Sequence, residues 1–173
     1  LAAQVGHDPS RSPFRDITTR QSLALTGGSF FGNRAVAGVG AQPGPMFGVR
    51  LRTALSGPID LMVSSSYVQS KRNVIDASKP ESTRVSGPND YNLFITDIAI
   101  GLTLTGRKTW HGLAPYVAMG AGFVVPTHAV IDPGGYKAGS GFTLVPTVGV
   151  RARVSRSLML QFEARDNTIR YEW

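Results

Sequence analysis

The sequence predicts an all-β fold, an up-and-down antiparallel transmembrane β-barrel of about eight strands. Three observations predict it. Apolar and other residues alternate with period two along most of the chain. The connections between the alternating runs are short and long in turn. One face of the runs is bulky and apolar, while the other mixes small residues with charged ones.

Composition sets the frame. The chain has 173 residues, with 42% hydrophobic, 17% charged, 20 Gly and no Cys. That length suits one domain. So much Gly with so little charge argues against a long soluble helical protein, and the absence of Cys excludes a disulfide-stapled module. Apolar residues are spread too widely for a disordered chain. Lys and Arg number 18 against 11 Asp and Glu, a net charge of +7. This points to an anionic neighbour, lipid or nucleic acid. The stretch Leu113–Ile131 carries no charged side chain, but Pro115, Gly120, Gly122 and Pro126 would damage a spanning helix there.

Residues 1–20 are polar and carry Pro9 and Pro13, which reads as an extended periplasmic leader. Leu1-Ala2-Ala3 is compatible with the tail of a secretory signal or with an ordinary N-terminus. The barrel domain is placed over 21–173. Seven runs follow, over 21–31, 45–55, 59–70, 91–105, 113–125, 141–154 and 158–170. Each reaches the roughly 9–11 residues that a tilted strand needs to cross a bilayer. Connections 56–58, 106–112 and 155–157 are short, and 32–44, 71–90 and 126–140 are long. Sorting by side in this way is the layout of an outer-membrane barrel.

The faces can be assigned from the alternation. Phe47, Val49 and Leu51 share one face of the second run, opposite Arg50 and Arg52. Ile98, Ile100 and Leu102 oppose Asp97 and Gly101 in the fourth, and Val117, Met119 and Phe123 oppose Tyr116, Gly120 and Gly122 in the fifth. Val148 and Val150 oppose Arg151 and Arg153, and Leu160 and Phe162 oppose Glu163 and Arg165. The apolar set is expected to face lipid. Small residues and long charged ones suit the narrow inside of an eight-stranded barrel. A soluble lipocalin-like barrel binding an apolar ligand is the alternative, and it would carry Lys and Glu on its outer strand face. Here Lys71, Lys79, Lys108 and Lys137 all fall in predicted connections.

Pro115-Tyr116-Val117-Ala118-Met119-Gly120-Ala121-Gly122 resembles a strand common in small outer-membrane β-barrel proteins, the OmpA/OmpX-like eight-stranded group. Gly149-Val150-Arg151-Ala152-Arg153-Val154 with Ser155-Arg156-Ser157-Leu158 looks like a late hairpin of that family. The resemblance spans about 21–170 through short, degenerate motifs. It implies an integral protein of the outer membrane of a diderm bacterium, with a structural, adhesive or surface-interaction role and no catalytic residues.

Seven runs depart from the even strand count of such barrels, and an open edge is not tolerated in lipid. An eighth strand is expected from a continuation past Trp173, from residues 1–20, from the 71–90 loop, or from a neighbouring chain; the first is favoured. Tyr171-Glu172-Trp173 resembles a family C-terminus only loosely. Pro146 inside the sixth run predicts a bulge or a late strand start.

The inward charges are expected to be Arg50, Arg52, Arg151, Arg153 and Arg165 with Asp97 and Glu163. A salt-bridged plug outweighs a narrow anion-preferring pore, because eight strands leave hardly any bore. Hairpin pairing sets Arg151 opposite Gln161 with Glu163 on the diagonal. Asp97 is read as the only other inward acid, so each of the two acids should serve more than one Arg. Trp110, Phe31, Tyr67, Tyr91 and Tyr116 are placed in interfacial girdles. Lys71, Arg72, Lys79 and Arg84 are expected near outer-leaflet lipid, in contact with lipopolysaccharide phosphates. Ser70 and His128 are weak candidates for a membrane-embedded acyltransferase or protease. His7, His111 and His128 show no metal-ligand spacing, and Asp132-Pro133-Gly134-Gly135 reads as a turn. No cofactor and no nucleic-acid partner is implied; other subunits at the barrel edge or loops are compatible with the pattern.

Overall fold

The computed structural model describes residues 12–32, 39–76, 78–127, 133, 139–155 and 158–170. Twelve strands follow in chain order: β1 (Phe14–Asp16), β2 (Gln21–Phe30), β3 (Gly44–Ser56), β4 (Ile59–Val68), β5 (Lys71–Ile75), β6 (Val85–Asp90), β7 (Leu93–Thr103), β8 (Lys108–Trp110), β9 (Leu113–Pro126), β10 (Gly141–Arg153), β11 (Met159–Arg165) and β12 (Thr168–Arg170). The fold is all-β: a ten-stranded antiparallel sheet curls on itself, and β5 and β6 form a separate two-stranded sheet. Among the described residues, no helix is long and apolar enough to cross a membrane.

The sheet is a meander in the order β2-β3-β4-β7-β9-β10, with β11 and β12 along the far side of β10. Successive long strands pair as neighbours because each connection is a local hairpin. Two of the turns have legible chemistry. Gly57 joins β3 to β4 at φ 53°. His111 and Gly112, at φ 50° and 82°, close the β8–β9 hairpin, the pair of left-handed residues that matches the twist of the flanking strands.

Three features differ from the sequence expectations. The 71–90 connection is itself structured: β5 and β6 pair with each other and extend the β4–β7 hairpin outward. The leader is not wholly irregular, because Phe14–Asp16 pairs antiparallel with Lys108–Trp110. Pro146 makes neither a bulge nor a late start. β10 keeps one register against β9 from Gly141 to Ala152, with Pro146 opposite Met119. The N–H of Asp166 donates to the Pro146 carbonyl at 3.1 Å, so the proline's backbone faces the seventh strand. That strand is interrupted there, between β11 and β12, where the missing donor would have been needed.

Curling is visible in contacts between strands far apart in the ladder. Arg50 on β3 reaches Glu163 on β11, with four strands between them in the sheet order, and Arg151 on β10 reaches Asp60 on β4. Only side chains on the concave face can meet in this way. The concave face is filled in layers. Near the long-loop end, Val68, Tyr91, Leu93, Ile95 and Val124 pack with Ala41. Below them, Met62, Ala99, Tyr116 and Ala118 form a second cluster.

Close packing needs glycine at two concave positions. A Cβ on Gly122 would lie 2.0 Å from the Thr96 carbonyl oxygen, and one on Gly149 would lie 2.7 Å from the Tyr116 ring. By contrast, a Cβ on Gly28 of β2 would meet nothing within 4 Å. Gly122→Ala should therefore destabilise the fold by about 1–3 kcal/mol. Gly28→Ala should change stability by no more than about 0.5 kcal/mol. Urea titrations of the two variants under the same conditions check the contrast.

Candidate functional site: the ionic interior and the apolar exterior

The interior site is built by strand parity. β3 presents Arg50 and Arg52 inward, β4 presents Asp60, β7 presents Asp97, β10 presents Arg151, and β11 presents Glu163 and Arg165. Three ion-paired groups result. At the short-turn end, Asp60 accepts from Arg52 Nη1 at 2.9 Å through Oδ1 and from Arg151 Nη1 at 2.7 Å through Oδ2. Arg52 also donates to the Thr19 carbonyl and to Ser22 Oγ, which ties the end of the leader to this group. Arg151 is 2% exposed, and its guanidinium lies 4.1 Å from the centroid of the Tyr116 ring.

The second group centres on Glu163. Arg50 engages both of its carboxylate oxygens, and the Arg50 Nε–H donates to Ser64 Oγ at 2.8 Å. The Tyr116 hydroxyl donates to Glu163 Oε2 at 2.7 Å, and Gln161 Nε2 donates to both Tyr116 Oη and Glu163. In the third group Arg165 Nη2 donates to Asp97 Oδ2 at 2.5 Å. Within these three groups four arginines meet three carboxylates, an excess of one positive charge. Buried charges are tolerable only when paired and hydrogen-bonded, and here nearly all are.

The sequence reading needs correction at several of these residues. Asp97 is not the only other inward acid, for Asp60 is buried and, among the described residues, is the one carboxylate that serves two arginines. Glu163 and Asp97 each pair with one. Arg151 does lie opposite Gln161, but its acid is Asp60 rather than the diagonal Glu163. Arg153 does not join the network: it donates to the carbonyls of Asp16 and Ser155 at the exposed short-turn end. One positive charge thus replaces the expected excess of three. Tyr91 and Tyr116 are not girdle residues, since both are buried on the concave side. Among the other aromatics placed in girdles, Trp110 is half-exposed and Phe31 strongly exposed.

Asp60 had a readable signal. It shares its parity in the third run with Met62, Ser64 and Ser66, which all turn inward. Tyr116 sits between small inward residues and looked like an edge aromatic only because it falls near a strand start.

The convex face is the second part of the site. Phe47, Val49, Leu51, Ile98, Ile100, Leu102, Val117, Met119, Phe123, Val148, Leu160 and Phe162 are all exposed there, and Val150 is half-buried. Leu23, Leu25, Phe94, Val125, Phe142 and Leu144 extend the same surface. Soluble monomers rarely expose a contiguous apolar patch beyond a few hundred Å².

At the long-loop end, Lys71 and Lys79 are exposed, and Arg84 is half-buried. Arg72 is not available to an outside partner. It is 3% exposed and its guanidinium lies 5.2 Å from the Tyr91 ring centroid. Asp76 accepts from the Ser78 hydroxyl and amide, which, with Lys79 nearby, holds its carboxyl below the usual carboxylate range. Ser70 is buried and donates to the Gln42 carbonyl at 2.7 Å. His7, His128, Asp132, Gly134, Gly135 and Tyr171–Trp173 lie outside the described residues. His111 occupies a hairpin turn, and among the described residues no cluster of His, Asp or Glu could hold a metal ion.

No family model, curated protein or solved structure matches the chain.

Removing one side of a buried ion pair strands the other charge. Asp60→Asn should cost about 3–5 kcal/mol, because two arginines lose their acid together. Glu81→Gln, on the exposed 3₁₀ turn Glu81–Thr83, should leave stability unchanged. Denaturant midpoints of both variants under one set of conditions check the contrast.

Proposed function

We propose that this chain is an integral β-barrel protein of the outer membrane of a diderm bacterium. Its role is structural, adhesive or surface-interacting rather than catalytic, with an interior plugged by ion pairs and contacts made through its long-loop end. The observation that carries this reading is the inversion of the usual order: leucines, valines and phenylalanines cover the convex face, and buried arginines and acids face one another within. In water that arrangement would leave the hydrophobic effect unspent. Against acyl chains it is the favourable one.

The soluble ligand-binding alternative needs an apolar cavity. Here the concave face is occupied by the ionic groups and by the two clusters around Tyr91 and Tyr116. A narrow anion pore fares no better, since the inward arginines are engaged by carboxylates that fill the same space.

Two exposed lysines and the half-buried Arg84 of the β5–β6 hairpin support a contact with anionic headgroups, with lipopolysaccharide phosphates as the partner. Lys71, Lys79 and Arg84 carry it, and Arg72 is withdrawn from the set. Each basic residue near an anionic surface contributes about 1 kcal/mol. Changing all three to Gln should weaken binding to lipopolysaccharide vesicles and remove its salt dependence. Unchanged flotation with those vesicles would sink the contact.

The bilayer reading has its own test. Ile100→Arg should cost about 2–4 kcal/mol in a urea titration of the vesicle-inserted protein. If the chain stays soluble and folded without detergent, and tolerates Arg at position 100, the reading fails.

A further inference from the structure

The two ends of the sheet differ in charge. Outside the Asp60 group, the described residues of the short-turn end include Arg15, Arg20, Arg107, Lys108 and Arg153 against one acid, Asp16. The β5–β6 hairpin at the other end holds Lys71, Arg72, Lys79 and Arg84 against Asp76, Glu81 and Asp90. An excess of four positive charges at one end contrasts with an excess of one at the other. Arg20, Arg107 and Lys108 are exposed, and among the described residues none of them joins an ion pair. Like charges gathered on one surface repel, and an anionic neighbour relieves them.

The leader helps to gather them. β1 pairs with β8 through Phe14–Trp110, Arg15–Thr109 and Asp16–Lys108. The Ile17 N–H then donates to the Arg107 carbonyl at 2.8 Å. Further on, the Thr19 carbonyl accepts from Arg52 and the Arg20 carbonyl from the Ala54 amide. Residues 14–20 thus run from β8 to the end of β3, and they add Arg15 and Arg20 to the charge of Arg107 and Lys108.

The same ladder sets aromatic rings beside these charges. Trp110 is the register partner of both Phe14 and Leu113, so the three side chains share the convex face at the lower margin of the apolar belt. Phe14 is 44% exposed and Trp110 50%. An indole settles where acyl chains give way to headgroups. Lys108 is two residues from Trp110 and on its face, and a lysine stem carries its ammonium along apolar surface to the polar layer. Arg107 precedes it in the turn. Asp16, opposite Lys108, is the acid that opposes an anion there.

We propose that this corner of the short-turn end binds acidic phospholipid. The headgroup phosphate meets Lys108 and Arg107, and Trp110 and Phe14 flank the glycerol region. A lipid of the adjoining leaflet is favoured over a water-borne polyanion because the charges border the apolar belt. The inference rests on the bilayer reading and is independent of the contact at the long-loop end.

The chain has two Trp, so Trp173→Phe leaves Trp110 as the single reporter. That chain is inserted in phosphatidylcholine vesicles holding a fixed fraction of lipid with brominated acyl chains, either phosphatidylglycerol or phosphatidylcholine, and flotation is scored first. Quenching of Trp110 should show a preference for phosphatidylglycerol of about fivefold, the worth of one net basic charge near an anionic surface. The preference should vanish in about 1 M salt, where the Debye length is about 3 Å. Arg107→Gln with Lys108→Gln should abolish it, and Arg107→Lys with Lys108→Arg should keep it. Asp16→Asn should raise it, and Lys71→Gln with Lys79→Gln, at the other end, should leave it unchanged. Equal quenching by the two lipids overturns the proposal, as does a preference that survives the paired Gln changes. If the paired Gln variant fails to insert, Asp16→Asn decides, and an unchanged preference overturns the proposal. Heparin binding that needs Arg107 and Lys108, without any lipid preference, assigns the corner to a water-borne polyanion and overturns it too. Chain that does not float overturns the bilayer reading, and this inference with it.

Discussion

Asp60 is the residue on which the interior depends. It stands near the β3–β4 turn and binds Arg52 from its own hairpin and Arg151 from the far wall. A charge taken out of water loses several kcal/mol of solvation, and only a well-aligned partner restores it. Asp60 restores two. Arg151 then lies over Tyr116, Tyr116 donates to Glu163, and Glu163 holds Arg50. One continuous chain of contacts thus joins β3, β4, β9, β10 and β11, and it draws the two ends of the sheet toward each other. The curl is held by these side chains, since no backbone ladder among the described residues joins β2 to β11.

Small residues make room for this. Gly122 and Gly149 stand where a methyl group would press on backbone or on the Tyr116 ring. Ala99, Gly101 and Ala118 surround Met62 and Tyr116 in the same way. The interior is therefore divided between a few large side chains and many minimal ones. Toward the long loops Val68, Leu93, Ile95 and Val124 form an apolar layer.

Period-two alternation made most of the long strands and their faces legible in the sequence, since a strand has only two faces and each residue type favours one. Arg50, Glu163 and Arg165 could be placed inside by that rule alone. What it could not supply was partnership across the curl. Arg50 and Glu163 are 113 residues apart, and their meeting depends on how tightly the sheet closes. Asp60 escaped notice because a single acid beside a turn looks like turn chemistry. Arg153 was misplaced for a similar reason: its parity is inward, but it sits so near the end of β10 that it reaches the leader instead. Arg72 shows the opposite failure. It was read as part of a loop, but β5 is a strand, and strand parity turns its side chain in against Tyr91.

Pro146 and the break after Arg165 have a consequence for assembly. A meander of similar strands can misalign by two residues without exchanging its faces, so alternation alone does not select among such slipped arrangements. A proline in one strand and an interruption in its neighbour work as matching notches. Only one alignment sets the absent donor against the pair of residues that do not extend the ladder, Asp166 and Asn167. Any slip would put Pro146 against intact strand and leave a carbonyl there without its hydrogen. The last hairpin thus carries its own ruler, independent of hydrophobic pattern and of charge.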